Sequence, residues 1–416
     1  SERTGGAAVA ANRLKDALNN NGIEANMLVR DKLSDDTTVF TIKNGWRTQW
    51  NKLWERWCIF WHLHFSKRNL FAIDIANAGT DITQLQAFKD ADVVHLAWIN
   101  QGMLSLKGIE KILKTGKPLV WTMHDIWPAT AVCHITLDCR QFETQCKDCR
   151  LLPSGIRKSL AQRTWKRKEA IEGRSHIIYI TCSKWLQNEA KKSALIGKNI
   201  IESIPNPIDS NIFCRTNKTE ARKKLGLPAD KRLILFASQR VTNHNKGMGY
   251  LVDACQKMVR QHPETLTNTA VVVLGGHAEE LCNDFELPMF PLGYVADTQQ
   301  IVDVYNAVDV FVTPSLSDNL PNTIMEAMAC GIPCVGFEVG GIPEMIDHKH
   351  NGYIVELKNS ADLANGIYWV LNIADYDKLS ADAIKKVKEN YSQARVAAQY
   401  IDIYKKALAN SNNKQI

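Results

Sequence analysis

The stretch from Asp309 to Ile346 reads DVFVTPSLSDNLPNTIMEAMACGIPCVGFEVGGIPEMI and contains two strand-to-helix units in succession. The apolar, β-branched run 310–313 predicts a strand, and Pro321 predicts the first turn of a helix after it. Residues 334–337 predict a second strand, and Gly340 with Gly341 predicts the start of another helix. Two such crossovers predict a parallel sheet, whose ligands bind beyond the carboxyl ends of its strands.

Carboxylates and amides gather at that end of the first predicted helix. Asp318 lies in the preceding loop, and Glu326 lies in the second turn, on the same face as Asn322 and Thr323. A carboxylate accepts hydrogen bonds from ligand hydroxyls, while the backbone N–H groups of a helix start favour a phosphate. The pattern predicts a sugar-nucleotide site. The alternative is that both acids only cap and solvate a surface helix.

The same residues resemble the acidic motif of the retaining glycosyltransferases of family 4, in which two acidic residues are separated by seven others. Pro314 and Ser315 match the Pro-Ser-x-x-Glu part, and Glu326 with Ala327 matches the Glu-Ala part. Asp318 replaces the first Glu, which keeps the charge and shortens the side chain by one methylene. Within this family the chain resembles bacterial capsule and exopolysaccharide enzymes of the colanic-acid type.

The resemblance implies an α/β protein with the GT-B fold, in which two doubly wound Rossmann-like domains face each other across a cleft. It implies an acceptor-side domain at 1–207, a nucleotide-sugar-binding domain at 208–391, and a C-terminal helix at 392–416 that packs back on the first domain. The chain runs from Ser1 almost directly into the loop Gly5–Gly6. We therefore expect the first strand of the N-terminal domain to be missing.

The implied activity is transfer of a sugar, with retention at the anomeric carbon, from a UDP- or GDP-sugar to a saccharide or a polyprenyl-diphosphate-linked acceptor. The implied process is polysaccharide biosynthesis, and no cofactor is implied for catalysis. Two other functions remain open. A sugar nucleotide epimerase of the same fold would need acid and base groups on both faces of the sugar ring, and a non-catalytic nucleotide-sugar-binding protein would explain the aspartate at position 318.

Residue by residue, the resemblance implies three catalytic positions and a donor-binding set. His124 would lie beside the reacting centre, Asp318 would bind the donor sugar, and Glu326 would bind the ribose. Arg240 and Lys246 would neutralise the departing diphosphate. The implied donor-binding residues are Gly6, Arg240, Lys246, Gly293, Asn319, Leu320, Asn322, Thr323 and Glu326.

Two histidines fall at the carboxyl ends of predicted strands in the first domain, His95 in the run 92–100 and His124 in the run 118–127. A histidine in that position can relay a proton near neutral pH or hydrogen-bond a sugar hydroxyl. The residues alone leave a functional and a structural role open for each of the two side chains.

Four cysteines cluster between residues 133 and 149, and the last two have C-x2-C spacing. A chain of 11 cysteines without a secretory signal is typical of a reducing compartment, where clustered thiols more often bind zinc than form disulfides. We therefore expect a structural zinc site, with His134 as a possible replacement ligand; disulfides and unbound thiols are the alternatives. The predicted ligands are Cys133, Cys139, Cys146 and Cys149.

A segment rich in tryptophan, 45–71, interrupts the pattern of the first domain. Aromatic and leucine side chains recur at helical spacing and basic side chains lie among them, as in helices that lie in a membrane interface. The alternative is an amphipathic helix packed on the first domain. The residues concerned are Trp46, Trp50, Leu53, Trp54, Trp57, Phe60 and Trp61, with Arg47, Lys52, Arg56, Lys67 and Arg68.

Composition limits the remaining possibilities. The chain has 416 residues, 45% of them hydrophobic, which is enough for two domains with large cores. The net charge of +7 favours anionic partners, but no nucleic-acid-binding motif accompanies it. No run of 18 apolar residues is present. We expect a cytoplasmic protein, with a possible peripheral contact at the inner face of the cytoplasmic membrane.

Overall fold

The computed structural model describes residues 2–42, 45–155, 157–173 and 176–412. The chain divides into two compact units. The first unit comprises residues 1–205 and 397–416, and the second comprises residues 206–396. The boundaries between the units therefore lie at 205/206 and 396/397, whereas the sequence analysis placed them at 207/208 and 391/392.

The first unit contains two parallel sheets with helices between their strands. Its strands are β1 (Met27–Val29), β2 (Val39–Thr41), β3 (Val94–Leu96), β4 (Leu119–Met123), β5 (Ile178–Thr181) and β6 (Ile201–Ser203). Its helices are α1 (Gly6–Asn19), α2 (Gly45–His62), α3 (Gln86–Asp90), α4 (Leu106–Lys114), α5 (Arg157–Glu172) and α6 (Lys184–Lys191).

Strands β3, β4, β5 and β6 pair in that order, all parallel, and β1 pairs with β2 in a separate two-stranded sheet. Every residue of β4 and β5 is buried, as expected for strands covered on both faces. Trp121 of β4 stacks on Tyr179 of β5 with their ring centroids 5.8 Å apart. The predicted strand at 92–100 thus corresponds to β3 at one edge of this sheet, and the predicted strand at 118–127 corresponds to β4 in its interior.

Helix α2 turns its aromatic side to solvent. Trp46 is 72% exposed and Trp50 is 61% exposed, whereas Ile59 on the opposite side is buried. The helix therefore packs on the first unit, as one of the two alternatives expected, but through Ile59 and Glu55 rather than through its aromatic side. Arg56 was expected to add to the positive surface, but it pairs with the buried carboxylate of Asp74 at 2.9 Å.

The second unit contains one sheet and most of the remaining helices. Its strands are β7 (Arg232–Arg240), β8 (Thr269–Gly276), β9 (Met289–Gly293), β10 (Val310–Thr313), β11 (Cys334–Phe337) and β12 (Gly352–Val355). Its helices are α7 (Lys218–Leu225), α8 (Met248–Gln261), α9 (Thr265–Asn268), α10 (Thr298–Ala307), α11 (Asn322–Ala329), α12 (Ile342–Met345), α13 (Ser360–Asn372) and α14 (Tyr376–Asn390). The chain ends in α15 (Gln393–Asn412), which is in the first unit from residue 397 onward.

The six strands of the second unit pair in the order β12-β11-β10-β7-β8-β9, and all are parallel. The parallel sheet predicted from residues 309–346 is confirmed. From β7 the chain adds β8 and β9 on one side, and from β10 it adds β11 and β12 on the other. The strand order therefore reverses between β7 and β10, and such a point is where doubly wound sheets bind ligands.

Helix α15 is tied to the sheet of the first unit by two tyrosine hydroxyls. Tyr400 Oη lies 2.9 Å from Thr122 Oγ1, and Tyr404 Oη lies 2.7 Å from His95 Nδ1. In the described part of the chain, no helix is long and apolar enough to span a membrane.

Candidate functional site

The loops that follow β7 and β10 lie against each other at the reversal point of the second unit. The amide of Leu316 donates to the carbonyl of Asn245 at 2.8 Å. Gly247 has φ +74°, and a Cβ added there would lie 1.8 Å from the carbonyl oxygen of Pro314. Only glycine accommodates both the left-handed backbone and this approach. The contact places Lys246 beside the loop that contains Asp318.

Lys246 and Asp318 form an ion pair, with Nζ 2.6 Å from Oδ2. A second loop holds the aspartate from its backbone side, because the amide of Gly341 donates to the carbonyl of Asp318 at 3.3 Å. Gly340 has φ +60°, and an added Cβ would lie 1.7 Å from that carbonyl oxygen. Two predicted site residues, 72 positions apart in sequence, are thus brought into direct contact.

Glu326 lies in the second turn of α11 and is 9% exposed. Its Oε2 accepts a hydrogen bond from Tyr305 Oη at 2.8 Å, which orients the carboxylate from α10. Four positions earlier, Asn322 Oδ1 accepts from Asn206 Nδ2 at 3.0 Å. Both side chains of this helix face are therefore held by residues outside the helix.

Helix α11 begins after its N-cap residue Pro321, whose side chain makes no capping hydrogen bond. The start of α11 also holds three other predicted donor-binding residues: Leu320 is buried, while Asn319 and Thr323 are half-buried. A helix start presents backbone N–H groups and the positive end of the dipole, which favours an anion.

Arg240 is the last residue of β7, next to Gly276 in the register of β8, and its side chain is exposed. Its Nε donates to Thr242 Oγ1 at 3.1 Å, and it forms no ion pair with any residue that the structure describes. The charge of Lys246 is balanced by Asp318, so Arg240 contributes the uncompensated positive charge beyond the end of β7. Gly293 ends β9, two strands away, with φ +63°.

The remaining predicted site residues, Gly6 and His124, belong to the first unit. Gly6 is the first residue of α1, and Gly5 before it has φ +91°. His124 follows β4, with Nδ1 3.4 Å from the thiol of Cys182. Burial lowers the pKa of His124 to about 4, although the carboxylate of Asp125 acts in the opposite direction. The imidazole is therefore neutral at pH 7.

His95 has a structural role in the described contacts. Its Nδ1 lies 2.7 Å from Tyr404 Oη, and its Nε2 lies 2.7 Å from Thr122 Oγ1. Burial, and to a lesser degree His124, lowers the pKa of His95 to about 3. A histidine with both ring nitrogens bonded and a pKa far below 7 does not relay protons at neutral pH.

Asp125 organises the turn after His124. It accepts hydrogen bonds from His134 Nδ1 at 2.8 Å, from Trp98 Nε1 at 3.1 Å and from the amide of Trp127 at 2.8 Å. Burial tends to raise the pKa of Asp125, but His134 and the other donors lower it overall. His134 is thus engaged by a carboxylate rather than by the neighbouring thiols.

The four clustered cysteines are near one another, and all 11 cysteines of the chain are free, so the disulfide alternative is wrong for this structure. Burial raises the pKa of Cys133 to about 12, and Cys149, Cys146 and Cys139 add to that rise. Among the described residues, however, no group of three or more His, Cys, Asp or Glu side chains is arranged to hold a metal ion. Structural zinc stays a prediction.

Two residues that support the site escaped sequence reasoning, Tyr305 and Asn206. Tyr305 lies on a helix outside the motif, and Asn206 is the first residue of the second unit. Neither has a sequence signal, because each meets its partner only in the folded unit.

Cations and carboxylates at the reversal point of a parallel sheet are typical of a nucleotide-binding α/β domain. Residues 231–372 match the family model described as Glycosyl transferases group 1. An uncharacterized glycosyltransferase of Methanocaldococcus jannaschii is 31% identical over 238 residues, which are 55% of this chain and 60% of that protein. Residues 231–372 are therefore similar to the group 1 glycosyl transferases. The chain spans less than two thirds of this relative.

Solved structures match almost the whole chain. Sucrose-phosphate synthase of Thermosynechococcus elongatus has a TM-score of 0.67 at 18% identity, covering 98% of this chain and 94% of its own. The HepE protein of Anabaena, solved with UDP and glucose, has a TM-score of 0.63 at 16% identity, covering 97% and 96%. Identities this low show the fold alone, and the predicted GT-B fold class is confirmed.

Proposed function

We propose that this protein is a retaining glycosyltransferase that moves a sugar from a nucleotide-sugar donor to an acceptor hydroxyl. The observation that carries the proposal is the contact between Lys246 and Asp318 beside the start of α11, at the reversal point of the second unit. The match of residues 231–372 to group 1 glycosyl transferases supports it.

In this proposal, Arg240 and Lys246 bind the donor diphosphate. Arg240 has no ion-pair partner among the described residues, and Lys246 is about a third exposed, so both are available to an anion. The charge on the diphosphate grows as the bond to the sugar breaks, so fixed cations stabilise the transition state more than the ground state. Donor binding would draw Lys246 from Asp318 and leave that carboxylate for a sugar hydroxyl.

Glu326 binds the ribose in this proposal, and His124 lies beside the reacting centre. Tyr305 occupies Oε2 of Glu326 and so fixes the direction of the carboxylate before any ligand arrives. Such preorganisation reduces the entropy lost on binding. Because HepE, which has a similar fold, was solved with UDP and glucose, UDP-sugars are the first donors to test. The proposed acceptor is a saccharide or a polyprenyl-diphosphate-linked sugar of polysaccharide biosynthesis.

The test is a transfer assay with UDP- and GDP-sugars, with and without saccharide and lipid-linked acceptors, and with the anomeric configuration read by NMR. Glu326→Ala removes a hydrogen-bonding carboxylate, so donor affinity should fall roughly 10- to 100-fold. Glu389→Ala, an exposed glutamate on α14, is the control. Normal transfer by Glu326→Ala contradicts the assigned site. Donor conversion without acceptor indicates an epimerase, and binding without turnover indicates a non-catalytic protein.

A further inference from the structure

The outer side of α2 carries a continuous aromatic surface, which we call the aromatic face: Trp46, Trp50, Leu53, Trp54, Trp57, Trp61 and Phe65. Each of these side chains is between 46% and 72% exposed. Single exposed apolar residues are ordinary, but a contiguous stripe of large ones marks an interaction surface. The face holds five of the 11 tryptophans of the chain.

The inner side of the same helix explains why the aromatic side faces outward. Glu55 is fully buried, and its carboxylate accepts hydrogen bonds from the amides of Ile75, Asn77 and Ala78 at 2.9–3.2 Å. A Cβ added at Gly102 would lie 2.7 Å from the helix backbone, so the helix is in close contact with that loop. If α2 rotated about its axis to bury its tryptophans, Glu55 would move away and these backbone amides would lose their acceptor, which is unfavourable.

The turn after α2 extends the aromatic face past the end of the helix. His64 and Phe65 have φ values of +52° and +60°, a left-handed conformation that costs each residue roughly 1–3 kcal/mol. The amide of Phe65 donates to the carbonyl of Phe60 at 2.9 Å. The ring of Phe65 then meets Trp61 edge-on, with centroids 5.3 Å apart, and stays 53% exposed. A strained turn thus holds an exposed ring on the face.

The exposed charged residues of the segment 45–71 have one sign. Between residues 45 and 71 the single carboxylate is Glu55, which is buried, so it adds no negative charge to the surface. Arg47, Lys67 and Arg68 are exposed and form no ion pair with any residue described in the structure. The face is therefore an aromatic strip with uncompensated cations near both ends.

We propose that the aromatic face docks on a bilayer that contains anionic lipid, with α2 lying parallel to the membrane surface. Tryptophan rings are stable at headgroup depth, where one edge is apolar and the other wet, and arginine and lysine reach the lipid phosphates. A second copy of this chain fits less well, because pairing two such faces would bring like charges together. The inference does not depend on the proposed transferase activity.

The experiment is sedimentation of the full chain with vesicles of phosphatidylcholine, with or without phosphatidylglycerol, at low and high salt. We expect binding only to vesicles with phosphatidylglycerol, weakened by salt because the Debye length shortens. Trp50→Ser, Trp54→Ser and Trp57→Ser combined should lower vesicle affinity by about tenfold or more, since the buried apolar area is lost. UDP binding should not change.

The matched control replaces three exposed apolar residues elsewhere, Ile200→Ser, Leu266→Ser and Ile373→Ser, which are 45%, 46% and 65% exposed. It should bind vesicles as the wild type does. A second variant, Arg47→Gln, Lys67→Gln and Arg68→Gln, changes only exposed charges and should bind less tightly with less response to salt. The proposal is overturned if the wild type does not bind anionic vesicles, or if the tryptophan variant binds them as tightly as the wild type. It is also overturned if the aromatic face mediates self-association of the chain instead.

Discussion

At the scale of single residues, the ion pair between Lys246 and Asp318 has a consequence for donor binding. In the proposed site, the donor diphosphate competes with Asp318 for Lys246. In the structure the ammonium is 2.6 Å from the carboxylate, so in the proposed site a diphosphate would have to replace that carboxylate as the partner of Lys246. The aspartate side chain is 17% exposed and the lysine 34%, which means that water screens the pair in part. Diphosphate affinity and sugar transfer should therefore respond differently to loss of the aspartate.

We predict that Asp318→Asn binds UDP more tightly than the wild type while sugar transfer falls. Removing a partly exposed ion pair frees Lys246 and changes affinity by about 0.2–1 kcal/mol, up to about fivefold. Calorimetry with UDP and the transfer assay measure the two effects. Asp253→Asn removes a similar carboxylate, paired with Lys257 at 2.5 Å on α8, and should change neither. Weaker UDP binding by Asp318→Asn would show that the two anions do not compete.

At the scale of elements, the glycine loops set the position of the site. Gly340→Ala should destabilise the second unit and weaken donor binding, because the added Cβ would lie 1.7 Å from the carbonyl oxygen of Asp318. Gly226→Ala is the control, with φ +65° and no heavy atom within 4 Å of the added Cβ. It should cost only the left-handed conformation, roughly 1–2 kcal/mol. Thermal unfolding and UDP titration measure both variants, and equal losses would contradict the argument.

The cysteine loop between β4 and α5 yields a prediction about metal. A zinc site needs the thiolate sulfurs at about 2.3 Å from one ion, so zinc would have to turn these side chains toward one point. We predict about one zinc per chain in protein purified without chelator, and its loss in Cys146→Ser with Cys149→Ser. Cys282→Ser, an exposed thiol of the second unit, is the control. Metal-free protein with four reactive thiols would favour unbound cysteines.

At the scale of the whole molecule, the two units should respond differently to acid. His95 and His124 have pKa values of about 3 and about 4 in the folded first unit, against 6.5 for an ordinary histidine. The unfolded chain therefore takes up these protons first. Stability is present above pH 6.5 and is lost as the pH falls toward 4, by on the order of 1 kcal/mol per pH unit for each histidine.

The measurement is acid unfolding followed by tryptophan fluorescence, since ten of the 11 tryptophans lie in the first unit. Burial and the nearby Asp74 raise the pKa of Glu55 to about 7, which opposes the histidines in the same pH range. We therefore compare the wild type with His95→Gln. The variant should lose less stability than the wild type between pH 6.5 and 4, and equal slopes would refute this assignment.

The sequence by itself determined the parallel sheet of the second unit and the positions of its loops. Strand runs, glycines and Pro321 act through neighbouring residues, so the order of strand, loop and helix from 309 to 346 could be predicted. The acidic pattern likewise located Asp318 and Glu326. Strands β6 and β12, which have three and four residues, were not predicted.

Only the tertiary structure decided which side chains meet and which way helices face. Tyr305 on α10 donates a hydrogen bond to Glu326 on α11. Tyr404 forms a hydrogen bond with His95, which is 309 positions away in sequence. The aromatic stripe of α2 predicted a buried side as readily as a membrane-facing one. Its outward direction follows from Glu55, which binds backbone amides of a distant loop. Local sequence encodes periodicity, whereas the choice of buried face depends on which distant polar groups need partners.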